Sequence, residues 1–235
     1  VARKQDINAG LLQAVDDIRL GDNGTGHLTI TNTGKLTCDT LYAGYTSASS
    51  DSSITMSGGE LIAREFGIGR TGHTDMVMTD GYAQVSNVIY VGQSGDGSLD
   101  MTGGEIKIGT YTFHEETGLT DGGGPLVIGR NNGSTGEVHL GGGKITAHHL
   151  EMQWEGATTA NPSLDMTGGT LILTDTATFY SYILAGYITA LDGEGDFLYD
   201  TTTIPGQTII TVPEPATMGL LALGGMYFVR RRRRA

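Results

Sequence analysis

The sequence predicts an all-β chain, a parallel β-solenoid, and three observations carry that expectation. A glycine-marked turn recurs at a near-constant interval, apolar pairs hold fixed offsets from it, and 38 glycines accompany only 5 prolines. The second glycine of the turn falls at Gly10, Gly34, Gly59, Gly81, Gly104, Gly143 and Gly169. The intervals are 24, 25, 22, 23, 39 and 26 residues, and the one outlier contains an insertion. Such a period is the signature of stacked repeats, and the glycine content fits tight turns rather than collagen, which needs a strict period of three.

The elements follow from the offsets. Before the turn come Ile54/Met56, Met76/Met78, Leu99/Met101, Val138/Leu140 and Leu164/Met166, while Leu28/Ile30 is displaced by one residue and implies a bulge near Asn32. After the turn come Leu36/Cys38, Leu61/Ala63, Ala83/Val85, Ile106/Ile108, Ile145/Ala147 and Leu171/Leu173. A third set is Ile18/Leu20, Leu41/Ala43, Phe66/Ile68, Ile89/Val91, Leu126/Ile128 and Leu150/Met152, closed by a glycine in the first five and by Gln153 in the last. Members of a pair lie two apart, so each marks a short strand with one buried face. A repeat of three short strands cannot bury that face alone, and stacking buries it. The reading is therefore about six to seven coils of 22–26 residues. A β-sandwich is the alternative architecture, but it does not require one three-pair frame to recur.

The frame is already under way at Gly10, with Ile7 before it and Leu12 and Ala14 after it, which raises the expectation of further coils upstream. After Leu173 the glycine turn disappears, and residues 193–212, with Phe197, Tyr199, Ile209 and Ile210, read as an irregular last coil that caps the core. The expected organisation is a solenoid over 1–192, the cap and linker over 193–212, and a distinct tail over 213–235.

Charge narrows the partners. Without the tail's Arg230–Arg234 and Glu214, nine basic residues stand against 25 acidic ones, a charge of −16. Duplex nucleic acid is a poor partner for that surface, since binding it relies on neutralising phosphates with Lys and Arg. The single cysteine, Cys38, excludes an intrachain disulfide framework and occupies an inward slot, where it reads as a small buried hydrophobe.

Several motifs invite chemical readings. The insertion between Gly109 and Pro125 carries Tyr111, Phe113, His114, Glu115, Glu116 and Asp121, aromatics with carboxylates that suit a sugar or a cation. His114-Glu115-Glu116 lacks the second histidine of a zinc signature. Gly67-Ile68-Gly69-Arg70-Thr71-Gly72 has dinucleotide-motif spacing, but it precedes a strand where a nucleotide site needs a helix. Calcium-type nonapeptide repeats are missing, and Asp22, Asp96, Asp100 and Asp165 read as turn and outward strand residues. The sequence assigns no cofactor and no metal site, and it leaves open a weakly held Ca2+ between coils. His148 and His149 are adjacent, so a strand would point them to opposite faces. Trp154, Tyr42, Tyr45, Tyr90 and Phe113 read as scattered aromatics sharing no repeat position. Glu60, Glu105, Lys35 and Lys144 beside the turn glycines suggest a solvated row of alternating charge. No nucleophile elbow is present, and no catalytic residue is assigned.

The tail reads Val212-Pro213-Glu214-Pro215, then fourteen uncharged residues from Ala216 to Val229, then Arg230, Arg231, Arg232, Arg233 and Arg234. As a helix the run spans about 21 Å, short of the ~30 Å hydrocarbon core, and Tyr227 and the arginine stems extend its reach. Five positive charges bias that end towards the cytoplasm. This tail resembles the PEP-CTERM sorting signal, with Leu220-Leu221-Ala222-Leu223-Gly224 in its apolar run. The resemblance implies an exported protein, anchored by a single transmembrane helix in the inner membrane of Gram-negative bacteria. An exosortase would then cut near Pro-Glu-Pro and release it to the cell surface or the extracellular polysaccharide matrix.

Two functions follow as expectations. The first is a non-catalytic structural or adhesin-like repeat protein; the repeats are loosely similar to solenoid passenger regions of bacterial surface adhesins, an architectural likeness only. The second is a polysaccharide lyase or hydrolase, or a glycan-binding module, using the long loop.

Overall fold

Glycine corners and alternating apolar pairs produce one coiled sheet. The computed structural model describes residues 3–14, 16–22, 24–46, 50–109, 123–153 and 156–213. The first coil holds β1 (Arg3–Gln13) and β2 (Ile18–Leu20); the next three are single bent strands, β3 (Gly26–Ala43), β4 (Asp51–Ile68) and β5 (His73–Val91). The fifth and sixth coils hold β6 (Asp96–Ile108) with β7 (Leu126–Ile128), and β8 (Thr135–Ala147) with β9 (Leu150–Met152). The seventh holds β10 (Asn161–Met166), β11 (Thr170–Leu173) and a short helix α1 (Phe179–Leu184). Then come β12 (Ile188–Ala190), a 3-10 turn (Leu191–Gly193), β13 (Leu198–Asp200) and β14 (Thr208–Thr211). Pairing is parallel throughout the coils, making a β-solenoid of about seven turns.

The three inward sets form three files. Ile7, Ile30, Met56, Met78, Met101, Leu140, Met166 and Ala190 face one another in register along the first. Leu36, Leu61, Ala83, Ile106, Ile145 and Leu171 make the second, each at most 1% exposed. Ile18, Leu41, Phe66, Ile89, Leu126 and Leu150 make the third. The files meet in one core.

Strands of 18 and 19 residues replace the expected three short strands per coil. The glycine corner explains the difference. At Gly143 the chain turns with φ +73°, and an added Cβ would lie 2.6 Å from the Gly104 carbonyl oxygen of the coil below and 2.7 Å from Met101 Cε. Only a residue without Cβ turns there while keeping its ladder partners. Met78 Cε lies under Gly104 and Met56 Cε under Gly81 in the same way, so the long thioether of one coil fills the space beneath the next corner. The bulge expected near Asn32 is present: that residue has φ +53°, and the register slips between Asn32 and Lys35. Gln153, standing where other coils have glycine, also adopts a left-handed φ of +60°, and its Nε2 donates to the Ala160 carbonyl at 3.0 Å.

The two ends differ. At the first coil Leu11 and Leu12 are exposed, and a recess of about 720 Å3 opens between Leu12, Ala14, Ile18, Leu20, Leu28 and Leu36. At the other end the fold departs from the frame. The helix α1 takes the place of a third strand, with Phe179 buried and Thr178 Oγ1 donating to the Leu150 carbonyl at 3.1 Å. β12 then returns to the first file, pairing in parallel with β10, although no glycine turn announces it. β14 finishes the sheet by pairing antiparallel with both β11 and β13. Phe179, Tyr180, Phe197 and Tyr199 pack over this end with ring centroids 5.5–6.4 Å apart.

Two measurements check this core. Phe66→Ala, at a site with no exposure, is expected to cost about 3–5 kcal/mol in denaturant unfolding, whereas Val77→Ala, 40% exposed, stays within about 0.5 kcal/mol. Burial, with the charges of Asp39 and Asp17, pushes the Cys38 thiol up to about 12. It is therefore expected to resist thiol reagents at pH 8 until the protein unfolds; free-thiol reaction rates in the folded state would contradict the assignment.

Candidate functional site

The insertion is placed by its two ends. Gly109 donates to the Val85 carbonyl at 2.9 Å, and the Pro125 carbonyl accepts from Ile89 at 3.3 Å, so the frame stops and resumes on the same neighbouring coil. A side chain on Gly109 would overlap Gly124 N, which puts the two ends in contact. The 39-residue interval is thus an excursion from one corner, between the second and third strands, beside Asn87 and His148. Tyr111, Phe113, His114, Glu115, Glu116 and Asp121 lie outside the described residues, as does Trp154.

On the second face the row beside the glycine corners does not alternate strictly in charge; it runs Lys35, Glu60, Tyr82, Glu105, Lys144 and holds two ion pairs. Lys35 Nζ meets Glu60 at 2.7 Å and Lys144 Nζ meets Glu105 at 2.8 Å, with Tyr82 between the two pairs in register. Each pair is more than a third exposed, where an ion pair contributes only about 0–1 kcal/mol.

The third face departs from the sequence reading. Tyr42 and Tyr90 do share a repeat position, in register on either side of Gly67, whose lack of a side chain admits the Tyr42 ring. Tyr45 stacks between two guanidinium groups, with Arg19 and Arg70 each 4.2 Å from its ring centre. Arg70 also lies 4.4 Å over Tyr42, and Arg130 lies 4.9 Å over Tyr90. Successive coils therefore present arginine, tyrosine, arginine, tyrosine and arginine. The signal was in the sequence: Tyr42 and Tyr90 each follow the first residue of a third-strand pair, and Arg70 and Arg130 each follow a corner glycine. The reach of Tyr45 between two arginines depended on side-chain length and coil spacing, which no offset encodes.

Carboxylates border this row. Arg64 binds Asp39 through two nitrogens at 2.8 and 3.0 Å and Glu65 at 2.6 Å. Glu65 also accepts from Tyr42 Oη at 2.7 Å and from Asn87 Nδ2 at 3.1 Å. Burial works to raise the Glu65 pKa, but the Tyr42 and Arg64 hydrogen bonds outweigh it and hold it below the usual carboxylate value. Burial and then the bond to Glu65 raise the Tyr42 phenol. The Arg64 hydrogen bond likewise lowers Asp39.

One smaller expectation is corrected and another is refined. His148 and His149 do not point apart; they sit at the corner between β8 and β9 with ring centroids 5.3 Å apart, because the chain bends there and strand alternation no longer applies. Asp165 holds its expected outward strand place but is covered by the last coil, at 7% exposure, and its Oδ1 accepts from Thr189 Oγ1 at 2.5 Å and the Asp192 amide at 3.2 Å. Asp22, Asp96 and Asp100 are exposed. Among the described residues no three His, Cys, Asp or Glu side chains group as metal ligands.

Since Glu65 has a folded pKa below its unfolded value, its contribution is complete above about pH 4.5 and fades as pH falls through the folded value. Tyr42→Phe removes one bond to this half-exposed cluster. It is expected to lower stability by about 1 kcal/mol at pH 7, and less in acid, where both proteins carry a protonated Glu65. An equal loss at pH 7 and pH 2 would rule out the linkage.

In the tail, Val212 is 7% exposed and packs into the core, and Pro213 is half-buried, while Glu214, Pro215 and Arg230–Arg234 lie outside the described residues. The expected transmembrane helix lies there too; among the described residues no helix is long and apolar enough to cross a membrane. Among curated proteins and among solved structures, nothing matches this chain. One family model does match, at residues 211–234, and it is described as the PEP-CTERM protein-sorting motif. The chain therefore carries a sorting signal of that family behind a β-solenoid, which marks an exported, secreted protein and implies recognition and processing by an exosortase.

Proposed function

We propose that the protein is a non-catalytic structural or adhesin-like rod of the cell surface or extracellular polysaccharide matrix. A helix formed by the apolar run Ala216–Val229 anchors the precursor in the inner membrane, with Arg230–Arg234 on the cytoplasmic side, until exosortase releases it. The observation that carries the reading is the pairing of outward charge across neighbouring coils: Lys35 with Glu60, Lys144 with Glu105, and Arg64 with Asp39. A surface spent on its own ladder suits a spacer or lattice element better than a reaction centre, which needs groups converging on a substrate.

A second reading, a glycan-binding face, is favoured by the Arg–Tyr row. Coils stacked at about 4.8 Å repeat arginine at roughly 10 Å, and a guanidinium edge suits a carboxylate or sulfate.

The released protein should raise no reducing ends and no unsaturated product from any of a panel of acidic and neutral polysaccharides; cleavage of one would make it an enzyme. Retention on acidic polymers that falls at least fivefold in the Arg70→Ala variant would select the second reading over the first. Deleting Arg230–Arg234 should lower the membrane-held precursor in cell fractions.

A further inference from the structure

The sorting motif does not begin clear of the folded domain. Its match starts at Thr211, which is the last residue of β14. Thr211 pairs with Thr170 of β11 on one side and with Leu198 of β13 on the other. Ile210 is fully buried and Val212 is 7% exposed, both in the core that contains Leu171 and Leu173. The turn leading into β14 is fixed by the Asp200 carboxylate, which accepts from the Thr202 amide at 2.8 Å and the Thr203 amide at 3.0 Å. Pro213 follows at once, and without an N–H it cannot extend the ladder. The last buried residue among the described ones, Val212, and the first residue of Pro213-Glu214-Pro215 are therefore consecutive.

A processing enzyme takes the bond it cuts, with residues on both sides, as an extended and unpaired segment. β14 is extended but not unpaired: both of its edges are hydrogen-bonded, so no cleft can add a strand to it, and Ile210 is locked in the core. Presenting a bond within it requires the cap to open, which exposes the end of the core.

We propose that the cap sets the processing boundary: exosortase is shut out of the bonds from Thr208 through Val212–Pro213, the cut falls beyond Pro213, and the released protein keeps Ile210 and Val212 as the plug of its solenoid. This rests on the reading of the tail as an exosortase substrate. In a hydrolytic cut one backbone C–N bond breaks, water supplies hydroxyl to the carbonyl carbon, and the leaving nitrogen takes the proton. The released chain then ends in a carboxylate at or after Pro213. A cut within β14 would instead strip the second partner from β11 and leave an open edge on the last coil.

The test maps C-termini by mass spectrometry on the protein released from cells that produce the full chain and an exosortase. Every terminus is expected beyond Val212, and a terminus at or before Val212 overturns the proposal. Ile210→Asp opens the cap and should add termini between Thr208 and Val212; Tyr199→Ala, milder because it removes only ring contacts, should add them in smaller yield. Wild-type-like termini in both variants, with the cap shown to be loosened by faster amide exchange in β14, overturn it as well. Limited digestion of the purified full chain by a broad-specificity protease gives an arm independent of exosortase. Trimming should stop at or after Pro213, and trimming through β14 overturns the boundary. Absence of release in cells together with a protected β14 would sink the exosortase reading while leaving the boundary standing.

Discussion

Each coil turns its first corner against a backbone carbonyl of the coil below, and that contact governs the rest. Where Gly143 passes over Gly104 there is no room for a Cβ, and the same is true where Gly59 passes over Gly34. A residue that could not take a positive φ would have to lift the corner and break the ladder on either side. Because the corner stays low, strands run through it, and β3, β4 and β5 each hydrogen-bond along 18 or 19 residues. The inward files then fall into line, and methionine tips fill what the missing side chains leave.

A structure built this way fixes its outer faces as well. Residues at one repeat position stand about 4.8 Å apart on successive coils, close enough for a charged or planar group to meet one on the coil above or below. Glu60 meets Lys35, and Glu105 meets Lys144. On the third face the same spacing brings Arg19, Tyr45 and Arg70 into a stack. Guanidinium groups over aromatic rings keep a polar edge towards solvent while covering apolar surface.

Parallel stacking leaves the ends as the weak points, since an unpaired strand and an open core invite further pairing. At the last coil the chain solves this by leaving the frame: α1 fills the third-strand place, aromatic rings close over Phe179, and β14 reverses direction to pair with β11. The same strand leads directly into the sorting motif. Delivery and capping therefore meet within two residues, Thr211 and Val212.

The files and corners were legible because they depend only on local rules, a period of two within strands and a glycine at each bend, repeated until chance alignment fails. Leu61, Ala83, Ile106 and Ile145 could be placed in one row from their offsets alone, and even the slip at Asn32 showed as a one-residue displacement. The tail was legible for a similar reason, being a linear signal. What the sequence left undecided involves groups brought together by the third dimension. Phe179 closes the core beneath the expected cap residue Phe197, Asp165 disappears beneath the last coil, and Tyr45 slides between arginines 26 residues before it and 25 after it. Those contacts depend on how far a side chain reaches across stacked coils, a length that repeat spacing does not carry.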